Sequence, residues 1–378
     1  MLKVVSTSLT MHHILSSFIL YCFLTFSVNI RPAISAVNSI NSAYDSSPFK
    51  HMYEFDGSGG SSLMGSETVP ESKDIVYLPE FNLSARLYRP IDAAANQKLP
   101  LLFYIHGGAF ITGSPFDKTY HNFLNILVSE ANVVAVSIQY RLIDVCPLPC
   151  AYNDSWAALK WVASHLNADG PEDWLNQHAD FQRVFVSGDS AGANIAHQMA
   201  IKLATEEILE GFSVAGMILC HPFFWGSELL HGETQDWSDN MVELWEQMSP
   251  TSSGIDDPWL NPAKDPNLAR VGFLRLQVFV SENDLFQLRE RGWYYAQKLR
   301  ESGWSGYQEV IDFQGENHVF HLNNLNSRNS TILRNRIVTF INQEWIDTSV
   351  SMKSSRDWLN SPLYDMISMI RRRVLRAD

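Results

Sequence analysis

Val184-Phe185-Val186-Ser187-Gly188-Asp189-Ser190-Ala191-Gly192-Ala193-Asn194-Ile195-Ala196 is the stretch on which the reading turns. A β-type apolar run leads into Gly-x-Ser-x-Gly, and a helix-forming run follows at once. A serine in that setting occupies a strained strand-to-helix turn, and the flanking glycines leave room where any side chain would strike a neighbouring strand or helix. The turn is expected to lift the Ser190 hydroxyl above a sheet. The helix N-terminus behind it supplies backbone N–H groups and the positive end of a dipole for a developing oxyanion.

Upstream, Leu101-Leu102-Phe103-Tyr104-Ile105 runs directly into His106-Gly107-Gly108-Ala109-Phe110. Adjacent glycines let backbone approach a bound acyl group, so the N–H groups of Gly107 and Gly108, with that of Ala191, are the expected oxyanion donors. His106 is expected to hold this loop rather than to move protons. A serine hydroxyl is a weak nucleophile until a base takes its proton, and that base needs a carboxylate to fix its tautomer. Asp284 follows the apolar strand Val278-Phe279-Val280, and His318 follows the strand ending at Phe313. Both stand where a strand delivers its C-terminal loop. Glu282 is the rival acid and His321 the rival base.

Around these motifs the chain alternates β-type and helical patterns, the arrangement of a mostly parallel sheet covered by helices. Strands are expected at residues 99–105, 133–140, 183–187, 214–220, 276–280 and 307–313. Helices are expected at 153–165, 191–205 and 288–302. Residues 225–262, with Trp225, Trp237, Trp245 and Trp259, read as a cap insertion between two strands, its tryptophans packing on the core or lining a substrate cavity.

Both ends differ from this body. Residues 1–36 hold no Asp or Glu, run apolar from Ile14 to Ile30 and end in Ala33-Ile34-Ser35-Ala36, which reads as a signal peptide, with an uncleaved anchor as the competitor. A secretory or extracellular destination follows. Asn82, Asn153 and Asn329 each open an Asn-x-Ser/Thr tripeptide and are then candidate glycan acceptors. Residues 37–75 form a Ser- and Gly-rich arm, and the body spans 76–344. In the extension 345–378, Leu363, Met366, Ile367, Ile370 and Val374 share a helical face beside four arginines, which would suit a membrane surface or a partner; an unanchored extension is the alternative.

Composition excludes other classes. The 378 residues are 46% hydrophobic and 18% charged, as in globular proteins, and the net charge of -13 argues against nucleic-acid backbones as partners. The four cysteines, at 22, 146, 150 and 220, lack the spacing of a zinc site. Cys146 and Cys150, on either side of Pro-Leu-Pro, read as ordinary buried thiols.

His106-Gly107-Gly108-Ala109-Phe110, Tyr120-His121-Asn122, Tyr140-Arg141-Leu142, Asp154-Ser155-Trp156, the stretch Gly188–His197 and Gly315-Glu316-Asn317-His318-Val319-Phe320-His321 together resemble the plant carboxylesterase family. These are hormone-sensitive-lipase-like α/β-hydrolases related to the gibberellin receptors. The resemblance covers roughly Ser47 to Glu344. It implies an α/β-hydrolase fold with a helical cap drawn from the N-terminal arm and the insertion, and a triad of Ser190, Asp284 and His318. The implied activity is hydrolysis of small carboxylic esters through an acyl-enzyme, with no metal and no organic cofactor. Acyl transfer, lactonisation or dehydration of a plant secondary metabolite would use the same groups. A receptor-like binder is the alternative in which the base is typically lost, whereas His318 is kept. Four features depart from the family pattern. Ala109 stands where many relatives carry glycine, and Ile143-Asp144-Val145-Cys146 replaces an Ala-Pro-Glu-His stretch. The run from Asp284 to Arg291 is slightly long, leaving the acid position open. The leader and tail are foreign to a mostly cytosolic family, so a cytoplasmic location is the alternative if the leader is an artefact of gene prediction.

Overall fold

A computed structural model of the chain describes residues 69–343. The leader, most of the Ser/Gly-rich arm and the basic amphipathic tail lie outside those residues. By contacts the chain divides into a unit ending at Ile341 and a unit Asn342–Asp378, of which Asn342 and Gln343 are described.

In chain order the elements are β1 (Glu71–Leu78), β2 (Leu83–Arg89), β3 (Leu99–Ile105), α1 (Lys118–Ala131), β4 (Val134–Ile138), α2 (Cys150–Ala163), α3 (Asp173–His178) and β5 (Ala179–Asp189). They continue with α4 (Ala191–Thr205), β6 (Val214–Cys220), α5 (Gln235–Met248), β7 (Arg275–Ser281), α6 (Leu288–Glu301), β8 (Tyr307–Phe313), α7 (Phe320–Asn323) and α8 (Arg328–Asn342). The sheet order is β1-β2-β4-β3-β5-β6-β7-β8, with β1, β2 and β4 paired antiparallel and every other pair parallel.

Central strands of such a sheet are apolar on both faces because helices cover both. In β3, Leu101, Phe103 and Ile105 pack into one core with Ala193, Ile195 and Ala196 of α4 and Trp156 and Leu159 of α2. Leu102 and Tyr104, half a pleat away, enter a second core with Phe123, Leu124 and Leu127 of α1 and Leu333 and Ile337 of α8. This two-sided burial fixes strand register, since a one-residue slip would exchange the two faces. The parallel strands then deliver their C-terminal loops to one edge, where Ser190, Asp284 and His318 all sit.

The hairpin β1–β2 and helices α1, α3 and α8 go beyond the sequence expectations. Leu83, Ala85 and Leu87 do alternate with polar or half-buried residues, a strand signal. The body therefore begins at Glu71, a few residues earlier than expected. Between β6 and β7 the chain makes one α-helix, α5, and two single-turn 3-10 helices, Pro262–Lys264 and Leu268–Arg270, within otherwise irregular backbone. Trp225 and Trp245 are buried in the core, and Trp237 and Trp259 pack against it half-buried, so the tryptophans of this segment are packing residues.

Cys146 and Cys150 are not the free buried thiols expected. Cys146 and Cys150 form a disulfide, with Cα atoms 5.9 Å apart, across the turn that opens α2. The spacing of four residues was compatible with a bridge, and the turn that reverses the chain at Pro147-Leu148-Pro149 supplies the approach.

Candidate active site

Ser190 lies between β5 and α4 at φ 52° and ψ -118°, outside the regions that side-chain-bearing residues favour. Three backbone hydrogen bonds hold it there. Its N–H donates to Cys220 O over 2.8 Å, and its carbonyl accepts from Asn194 N and Phe223 N, each at 3.1 Å. The two motif glycines are steric necessities. A Cβ on Gly188 would stand 2.4 Å from the Gly192 carbonyl, and one on Gly192 would stand 2.1 Å from Ile105 O. The sharp turn is thus possible only because strand, turn and helix pack backbone to backbone.

At the end of β7, Asp284 Oδ2 lies 2.8 Å from His318 Nδ1, and both side chains are buried. Burial is the largest single influence and opposes the carboxylate charge, but the facing His318 imidazole with its hydrogen bond, His221 and Phe286 N–H together outweigh it, and Asp284 is held below its ordinary range. The two loops are stitched together. Asn317 Oδ1 accepts from both Leu285 N and His318 N, and Asn283 N donates to Glu316 O. The slightly long run after Asp284 therefore does not displace it from the histidine.

The rival residues do other work. Glu282 Oε2 accepts from Gly315 N, bracing the turn that carries His318. His321 is fully buried against Phe123 and Phe320, and burial drives its imidazole well below the usual value. Between His318 and His321 stands a residue the sequence reading passed over, His221, at φ 50° just after β6. Its ring is 5.5 Å from that of His318, edge to face, and stacks 5.7 Å from that of His321. Burial lowers His221 to about 3, so it is a neutral backing for the His318 ring.

The loop after β3 differs from expectation in one donor. Gly107 N donates to the Tyr120 hydroxyl over 2.8 Å, so it is already engaged and is not available as an oxyanion donor. From Gly108 the backbone turns left-handed for three residues, with φ of 101° at Gly108, 56° at Ala109 and 61° at Phe110. Successive N–H groups in such a turn converge on an anion-binding concavity. Alanine at this position carries the conformational cost that glycine avoids, about 1 kcal/mol. His106, as expected, holds the loop: its ring stacks on Tyr140 at 4.3 Å and its Nδ1 is 2.8 Å from Gly107 O. Burial lowers it to about 4. Tyr140 hydroxyl contacts the carbonyls of both His106 and Gly107.

Asp189, immediately before the serine, is fully buried and accepts from Tyr104 at 2.9 Å and Tyr120 at 3.1 Å. Burial raises it to about 6, against the pull of the two hydroxyls. Asn194, one helical turn into α4, reaches out of the hydrolase body. Its Oδ1 accepts from Tyr152, and its Nδ2 donates to Phe223 O and Trp259 O, the two ends of the segment that carries α5. On the far side, Arg291 of α6 pairs with Glu233 beneath Trp225. None of these three polar clusters was legible from residue type alone, because each is defined by partners distant in the chain.

Residues 102–322 match the profile of the alpha/beta hydrolase fold family. "Probable carboxylesterase 4, mitochondrial" of Arabidopsis thaliana is 44% identical over 297 residues, covering 74% of this chain and 78% of that protein. The 2-hydroxyisoflavanone dehydratase of Glycyrrhiza echinata is 40% identical over 284 residues, 73% of this chain and 86% of that one. Among solved structures, the thermostable carboxylesterase EstE1, cloned from a metagenomic library, superposes with a TM-score of 0.59 at 26% identity, covering 73% of this chain and 90% of that chain. Sheet, serine turn and relatives converge: the chain belongs to the α/β-hydrolase family, in its plant carboxylesterase branch.

Proposed function

We propose that the protein is a serine carboxylesterase acting on small carboxylic esters. The observation that carries this is the buried Asp284–His318 hydrogen bond at the same sheet edge as a serine held in a strained turn. Asp284 binds Nδ1–H, leaving Nε2 as the base for the Ser190 proton. Ser190 Oγ attacks the ester carbonyl, and the tetrahedral oxyanion accepts from Gly108, Ala109 and Ala191 N–H. His318 passes its proton to the departing alcohol. Water then attacks the acyl-enzyme, gives its proton to His318, and the carboxylic acid leaves as Ser190 is restored.

The test is turnover of p-nitrophenyl acetate together with covalent labelling by a fluorophosphonate. Both should vanish in Ser190→Ala, and activity persisting in that variant refutes the assignment. The dehydratase relative favours a second reading, in which the same base removes a proton and water leaves a hydroxylated flavonoid. Chromatography of 2-hydroxyisoflavanone after incubation separates the two.

The location is part of the same proposal: the chain follows the secretory route. The Cys146–Cys150 bridge supports this, since such bonds persist in oxidising compartments. Of the three sequons, Asn82 is exposed on a left-handed turn between β1 and β2. The Ser155 hydroxyl is instead turned inward to Ala151 O, and the Asn329 amide donates to Glu316. Expression in plant cells should yield protein whose single peptide-N-glycosidase-sensitive shift is lost in Asn82→Gln. Unglycosylated protein retained in the cytosol would overturn this.

A further inference from the structure

We propose that Asp189 is a positioning residue that sets the oxyanion loop through Tyr120, clamping the loop to the nucleophile turn. This rests on the esterase reading above and names a device within it.

A continuous chain of donors runs from the loop to the turn. Gly107 N donates to Tyr120 Oη at 2.8 Å, and Tyr120 Oη donates to Asp189 Oδ2 at 3.1 Å, while Tyr104 donates to Asp189 Oδ1 at 2.9 Å. All three side chains are buried at 1% exposure or less, so no water competes for these bonds. Asp189 is joined by one peptide bond to Ser190, and Gly107 by one to Gly108. The clamp therefore links the two backbone segments whose relative position defines the hole. Its fit is close: a Cβ on Gly107 would stand 2.3 Å from Asp189 Oδ2 and 2.8 Å from Asp189 O.

The chemistry explains why a carboxylate is used. An ionised carboxyl is acceptor-only, so it can hold two hydroxyls at once, and Tyr120, having spent its proton on Asp189, must accept from Gly107. A donor to Tyr120 that is a backbone N–H fixes the peptide plane of the loop. Fixing that plane orients the next N–H groups, those of Gly108 and Ala109. Catalysis by an oxyanion hole depends on donors already aimed at the charge before it forms.

The experiment compares Tyr120→Phe with wild type on p-nitrophenyl acetate and on an alkylboronic acid, which forms a tetrahedral adduct on the serine. The ring is kept and only the hydroxyl is lost. A loop displaced by a fraction of an ångström should lower kcat roughly tenfold to a hundredfold. KM should stay within about twofold, and the boronate inhibition constant should rise in parallel with the fall in kcat. A second pair guards against misfolding: Asp189→Asn, which keeps one acceptor oxygen, should retain several times the kcat of Asp189→Ala. The proposal is overturned if folded Tyr120→Phe keeps wild-type kcat and boronate affinity. It is equally overturned if KM, kcat and melting temperature all collapse together while the boronate-to-substrate affinity ratio is unchanged, the mark of a purely structural role. Wild type without turnover and without labelling would instead sink the esterase reading, and the clamp with it.

Discussion

Arg291 Nε donates to Glu233 Oε1 over 2.6 Å, and 2% and 1% of the two side chains remain exposed. Arg291 also donates to the carbonyls of Gly226 and Glu228 and lies over the Trp225 ring at 4.4 Å, so one guanidinium holds the root of the β6–β7 segment against α6. Removing one partner of a buried pair strands the other charge. Glu233→Ala should therefore cost about 3–5 kcal/mol in urea unfolding. An Arg291→Met/Glu233→Leu double variant should lose much less, because nothing charged is left buried.

Asp284→Asn keeps the shape of the acid but presents an amide to His318 Nδ1, which favours the wrong tautomer. The fall in kcat should be near 10⁴-fold. Glu282→Gln, which keeps an oxygen for Gly315 N, should leave kcat within about threefold, measured on the same p-nitrophenyl ester.

Acid should destabilise the fold. Burial holds His106 at about 4 and His197 and His221 at about 3, all below the unfolded value of 6.5. Below 6.5 the unfolded chain binds these protons and the folded one does not, so stability falls with pH down to the folded values. Asp189, raised from 3.8 to about 6, works the other way: its contribution is full below 3.8 and is lost as pH rises through 6. His321, buried and driven well below its usual value, acts in the same sense, so the imidazoles outweigh the one raised carboxyl and stability falls as pH drops from 6 to 4. Urea midpoints at pH 7 and pH 5 should differ accordingly; a midpoint that does not fall at pH 5 contradicts the burial of these imidazoles.

The Cys146–Cys150 bridge closes a short loop, and in the chain-entropy account a loop of that size is worth about 2 kcal/mol. A Cys146→Ser/Cys150→Ser variant should unfold at correspondingly lower urea. Intact-mass analysis of the wild type under non-reducing conditions should lack the two thiol hydrogens.

Much of the frame was readable in advance because its signals are local. β3, β6 and β8 and helix α4 begin and end where apolar runs and glycines placed them. The antiparallel β1–β2 hairpin was not anticipated, since its alternation is short and lies beside polar turns. In the site, strand ends and chain order single out Ser190, Asp284 and His318 in the sequence, and the structure joins Asp284 to His318. Gly107 looks as free as Gly108 in the sequence, and only Tyr120, thirteen residues on, shows that its N–H is taken. His221 went unnoticed for the same reason, since its neighbours His318 and His321 lie a hundred residues away.

The single carboxamide of Asn194 fastens both shoulders of the β6–β7 segment, at Phe223 and at Trp259, to the helix that begins at the nucleophile. What lies between those shoulders is held again in its middle, by Arg291 on Glu233 and by Trp245 in the core. Loops carried on a rigid frame are where a fold changes its clientele, and this scaffold moors that loop to the same helix that seats its serine.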